Sequence, residues 1–137
     1  MYSSTVNAKG GINGQVRSSD DKLQTETYMP TGARDDTDQR TNPEQLFAAS
    51  YASCLDGTLH HVAQAKSIEL KNAEVDAEIQ ALQVEKGDLR FKLKMEVKIP
   101  YLDRKEAEKL LQEAWENCPV TKATKNSLEV ELNLAHS

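Results

Sequence analysis

Aromatic residues are scarce in this chain: Phe, Trp and Tyr make up 5% of its 137 residues. All hydrophobic residues together reach 38%, against roughly 45–50% in an average globular domain. The length suits one domain of ~100–150 residues, and a single domain over 1-137 is expected. One copy of that domain is short of core material. Basic residues are also in deficit, with 17 Lys and Arg against 22 Asp and Glu and a net charge of −5. That excludes a phosphate-backbone footprint, so no nucleic-acid partner is expected. No apolar run nears the ~18–20 residues of a membrane span, which points to no membrane partner. The opening stretch MYSSTVNAKGG is polar and carries no apolar leader, so a cytoplasmic protein is expected. Only two cysteines are present, Cys54 and Cys118. In a reducing compartment such a pair is more often free, catalytic or redox-active than a structural staple.

The residues that are present fall into periodic blocks, which argues against disorder. Weak alternation over Tyr2–Ala8, then Gln15–Ser18 and Leu23–Met29, predicts three short strands. Gly10-Gly11 and Asn13-Gly14 mark turns between them. A charged loop over residues 31–41 has almost nothing to bury. Asn42 is then suited to cap a helix, with Pro43 at its first position and Gln45 where a capping box wants Glu or Gln. From Leu46 to Leu55 this helix carries no charge. A helix apolar on nearly every side is expected to be buried on nearly every side.

Val75 to Ala81 and Leu89 to Ile99 alternate around a Gly87-Asp88 turn and predict a hairpin. Asp103, with Glu106 three residues on, predicts the start of a second helix. Its apolar stripe runs through Ala107, Leu110, Leu111, Ala114, Trp115 and Cys118, and Pro119 is expected to end it. Leu128 to Leu134 alternate as a last strand. The order βββ-α-ββ-α-β gives an α+β fold with mainly antiparallel sheet. One sheet and one amphipathic helix cannot cover the uncharged helix, so a second copy of the chain, a homodimer, is the simplest cover.

Both cysteines fall on faces directed at the same core. A free cysteine often serves as a small buried apolar residue. Two of them brought within disulfide range are better explained by redox cycling. Glu44 opens the uncharged helix, where a carboxylate is favoured by the helix dipole. It precedes Cys54 by ten residues, about 15 Å of helical rise. If it serves a Cys54 site, that site is the partner subunit's. His60 and His61 are adjacent and point to different faces, and with only His136 besides there is no metal-ligand spacing, so no metal is expected.

The stretch TNPEQLFAASYASC at 41–54 resembles the organic hydroperoxide resistance branch of the OsmC/Ohr family. CPVTKAT at 118–124, the NSLEVELNL tail and the early GG…SSD segment agree with it, so the resemblance covers nearly the whole chain. It implies an intertwined homodimer with antiparallel sheets wrapped around two central helices. It implies a thiol peroxidase that reduces organic, including fatty-acyl, hydroperoxides to alcohols, recycled by a dithiol or lipoylated-protein reductant, with no cofactor. By resemblance Cys54 is the peroxidatic cysteine, Cys118 the resolving one, and Glu44 the acid that orients an arginine. The family's arginine follows the glycine pair, but here Ile12 stands there. Arg17, Arg34 or Arg40 supplies the charge instead, or the chain is a slow peroxidase, or it has become an apolar-ligand-binding or thiol-sensing dimer. Val120-Thr121 and Lys125-Asn126 also depart from the family's usual Tyr-Ser and Arg-Gly.

Overall fold

The computed structural model describes residues 2–29 and 38–135. Arg34, most of the charged loop and His136 lie outside the described residues. The chain forms two compact units, divided between Leu46 and Phe47.

The first unit carries strands β1 (Val6–Lys9), β2 (Gln15–Ser18) and β3 (Gln24–Glu26), paired antiparallel in that order. The third strand is shorter than its sequence pattern suggested. Ser18 ties the turn before it, accepting the Leu23 N–H at 2.9 Å. A single 3-10 turn at Gly11–Asn13 joins β1 to β2. Glycine is required beside it: a Cβ at Gly14 would lie 2.1 Å from the Lys9 carbonyl oxygen. Thr27 and Thr41 then form an isolated bridge, which brings the chain to the start of helix α1 (Pro43–Ala65). The Gln45 N–H donates to Asn42 Oδ1 at 2.8 Å, so Asn42 caps the helix as its residue type suggests. Gln45 does not complete the capping box, because its Oε1 accepts from the Thr41 hydroxyl at 2.6 Å.

The second unit holds the rest of α1, the hairpin strands β4 (Glu74–Glu85) and β5 (Asp88–Lys98), helices α2 (Arg104–Asn117) and α3 (Pro119–Thr124), and β6 (Glu129–Leu134). β5 is central, antiparallel to β4 and parallel to β6. The chain between β5 and β6 is a helical crossover, as a parallel neighbour requires. Leu93, Met95 and Val97 on one face of β5 are fully buried, while Lys94, Glu96 and Lys98 between them are exposed. Tyr51, Leu55 and Leu59 of α1 and Ala107, Leu110 and Ala114 of α2 join them in one cluster. The alternation of β5 and the stripe of α2 place these residues as the sequence suggests.

Two local expectations are corrected. Pro119 does not merely end α2. The helix stops at Asn117, Cys118 is extended, and Pro119 takes the first position of a new short helix, where its missing N–H costs nothing. Asp103 occupies the N-cap of α2 but makes no side-chain capping bond. On α1, Ala49, Ser50, Ser53 and Gly57 are exposed, so within one chain the uncharged helix is covered on one side only. No helix among the described residues is long and apolar enough to cross a membrane.

Leu93→Ala should lower the unfolding free energy by about 2–5 kcal/mol, through lost burial and the cavity left behind. Asn42→Ala should cost about 1 kcal/mol and Asn42→Gly only a few tenths, because glycine is tolerated at an N-cap. Urea unfolding followed by circular dichroism measures both, and equal losses for the two Asn42 variants would contradict the capping role.

Candidate active site

Cys54 and Cys118 meet because α1 and α2 face one core. Leu55, Leu59 and Val62 turn one side of α1 inward, and Cys54 sits at the edge of that side, half-buried. Cys118 continues the apolar stripe of α2 and is fully buried. The chain breaks at Cys118, with backbone angles of −68° and 121°, and this turn aims the first residues of α3 back at α1. Both cysteines are free thiols.

Four influences act on the Cys54 thiol. Burial is the largest and pushes its pKa up, because a thiolate there loses hydration. The Val120 N–H, in the first turn of α3, lies by the sulfur, and its dipole opposes that shift. The neighbouring Cys118 thiol raises the pKa further, and the Thr58 hydroxyl lowers it. The Thr58 hydroxyl proton is donated to the Cys54 carbonyl oxygen at 2.8 Å, which holds the hydroxyl one turn beyond the cysteine. The net direction is upward, and none of these influences is a cation.

An open cleft of ≈ 620 Å³ runs past Cys54 in the second unit. Gly57, Val62, Ala65 and Pro119 line it, with Ser53, Thr58, His61, Glu113 and Asn117 as polar groups. Its size falls within the usual range for small-molecule sites, about 300–1,000 Å³. Nothing fills the space over Gly57, where an added Cβ would meet no atom within 4 Å. Lys66 and Glu113 pair at 2.9 Å, so the acidic group in the cleft wall is already partnered.

Glu44 lies in the first turn of α1, on the same helix as Cys54 but ten residues earlier. Its Oε2 is buried and has no hydrogen-bond partner among the described residues. Ile12 sits on the 3-10 turn, half exposed, and its carbonyl accepts from the Thr27 hydroxyl at 3.2 Å. Two of the three arginines considered from sequence are engaged. Arg17 is exposed and bonded to Asp21. Arg40 holds Asp38 through two hydrogen bonds, 2.9 and 2.7 Å, and lies 5.0 Å over the Tyr28 ring. His60 Nδ1 turns to the Asp56 carbonyl oxygen at 2.9 Å, and no cluster able to hold a metal occurs among the described residues.

Sequence reasoning missed Thr58, Val120 and Tyr51 as neighbours of the sulfurs. A helical wheel places Thr58 one turn from Cys54. The place of Val120 depends on the break at Cys118, which only the fold reveals.

Iodoacetamide alkylation of Cys54 in a Cys118→Ser background should show this electrostatic balance. The thiolate is the nucleophile, and burial holds the thiol protonated. The rate should climb about tenfold per pH unit from 7 to 8 and level off above the free-thiol value of ~8.5. A plateau already reached by pH 7 would mean that a cation stabilises the thiolate.

Comparison with known proteins places this geometry. Residues 35–133 match the OsmC-like protein family. The chain is 36% identical over 135 residues to the organic hydroperoxide resistance protein OhrB of Bacillus subtilis, covering 98% of each chain. It is 38% identical over 138 residues to OhrA of the same organism, covering 98% of this chain and 96% of that one. Its fold matches the crystal structure of an organic hydroperoxide resistance protein from Legionella pneumophila with a TM-score of 0.90, at 31% identity and over 99% and 98% of the two chains. The chain belongs to the OsmC family and, within it, to the branch of organic hydroperoxide resistance proteins.

Proposed function

We propose that the protein is a two-cysteine peroxidase that reduces organic hydroperoxides to alcohols. The observation that carries this reading is the Cys54–Cys118 thiol pair at the edge of a largely apolar cleft. The Cys54 thiolate attacks the terminal peroxide oxygen. The O–O bond breaks, the alkoxide leaves and takes a proton, and Cys54 becomes a sulfenic acid. Cys118 then attacks the Cys54 sulfur. The S–O bond breaks, water leaves and a disulfide forms. A dithiol, of the kind carried by a lipoylated protein, returns both cysteines to thiols by exchange. A cytoplasmic location keeps them reduced between turnovers. The cleft favours alkyl over inorganic peroxide, since apolar contact contributes about 25 cal/mol per Å² buried.

The exposed uncharged face of α1 supports a homodimer, with a second copy packed on Ala49, Ser50, Ser53 and Gly57. In that arrangement Glu44, with its buried and unpartnered Oε2, serves the partner's Cys54 site.

A second reading rests on Ile12 and on the raised Cys54 pKa. Without a cation the thiolate is sparse at neutral pH, and the dimer then binds an apolar ligand or senses thiol oxidants slowly. The two readings differ in turnover.

With dihydrolipoamide as reductant, the protein should consume cumene hydroperoxide catalytically and faster than hydrogen peroxide. Cys54→Ser should abolish turnover. Binding without turnover would select the second reading. Mixed dimers carrying Glu44→Ala in one subunit and Cys54→Ser in the other should keep one intact site. Complete loss in the mixed dimer would contradict a Glu44 that acts across the interface.

A further inference from the structure

Tyr51 is fully buried one helical turn before Cys54, on the same side of α1, and the peroxidase chemistry above does not use it. Its ring stacks on Trp115 of α2, with centroids 5.7 Å apart and planes 12° from parallel. Its hydroxyl lies 2.7 Å from Thr121 Oγ1 on α3, with Thr124 also in reach. Thr121 belongs to the turn that Cys118 opens: the Lys122 N–H closes that turn on the Cys118 carbonyl at 3.0 Å. No residue of α3 is fully buried. Val120 packs against the core from this helix, and the Tyr51–Thr121 hydrogen bond ties the helix to α1.

We propose that Tyr51 is a positioning residue that, through Thr121, holds Cys118 in place for disulfide closure. The inference rests on the two-cysteine reading. When Cys54 becomes a sulfenic acid, its sulfur gains an oxygen and its immediate surroundings beside Val120 change. The Tyr51–Thr121 bond is the tie that this oxidation leaves intact. Closure then forms the S–S bond and releases water, and it tolerates little displacement, because the cysteine Cα atoms must stay within ~7 Å. The rigid stacked ring fixes one end of the tie and the α3 turn transmits it to Cys118.

The test separates the two chemical steps in the full chain. Stopped-flow with cumene hydroperoxide follows Cys54 oxidation, and quenched samples give disulfide closure by mass spectrometry, with dimedone trapping the sulfenic acid. In Tyr51→Phe the first step should stay within about twofold of wild type. Closure should slow about three- to tenfold, the usual worth of one buried hydrogen bond, and the dimedone adduct should accumulate. Thr121→Val should repeat this with the tyrosine intact, and Thr121→Ser should restore wild-type closure. Combining Tyr51→Phe with Thr121→Val should add nothing to either alone. Closure at the wild-type rate in Tyr51→Phe and Thr121→Val overturns the proposal. So does an equal slowing of both steps, which marks general loss of structure. A wild-type chain that forms no disulfide would instead overturn the two-cysteine reading itself.

Discussion

Burial of a thiol sets the terms for the rest of this molecule. The Cys54 sulfur, half-buried at the edge of the core of α1, α2 and the sheet, gains apolar contact but resists ionisation, because its thiolate would lose hydration. The proposed peroxide chemistry needs an apolar cleft and an ionisable sulfur. The second unit answers with polar donors. The Val120 N–H and the Thr58 hydroxyl lie close to the Cys54 thiol and oppose the burial. Each comes from an element whose placement follows from core packing: Thr58 from the next turn of α1, and Val120 from the short helix that begins after the break at Cys118.

Much of this was legible in the sequence. The strict alternation from Leu89 to Ile99 placed the core strand, and the stripe from Ala107 to Cys118 placed the second helix and its cysteine. The Asn42 cap and the uncharged run after it marked α1. What escaped was set by longer-range structure. Pro119 reads equally well as a helix terminator and as a first helical residue, and the extended backbone at Cys118 decides between them. Gln45 has the capping-box spacing, but Thr41 offers its side chain a closer partner. The parallel pairing of β6 with β5 has no local signal, since alternation is the same in either direction. Tyr51 reads as one more apolar residue in a small-residue helix, and its hydroxyl acquires meaning only from Thr121, seventy residues away in sequence.

Ile12 and Glu44 bear on the charge balance of the first unit. The carboxylate is in the first turn of α1 with a buried, unpartnered oxygen, while position 12 carries no charge to meet it. Arg17 and Arg40 already hold carboxylates of their own. Among the described residues of the second unit, the influences that favour a Cys54 thiolate are dipolar rather than ionic. Dipoles from one N–H and one hydroxyl soften the cost of a buried thiolate but leave the pKa raised. The scarcity of apolar residues, 38% of the chain, bears on the proposed assembly. The core material is concentrated in α1, the inner sheet face and α2, and α1 still presents an uncharged side outward.

The central claim is that Cys54 and Cys118 form one redox unit, and its most direct test is a peptide map of the protein treated with one equivalent of cumene hydroperoxide. A redox unit yields a single disulfide-linked peptide joining Cys54 to Cys118 within one chain, with the intact mass lower by two hydrogens. Two free thiols after treatment, or a Cys54 oxidised to sulfinic acid beside an untouched Cys118, would contradict it.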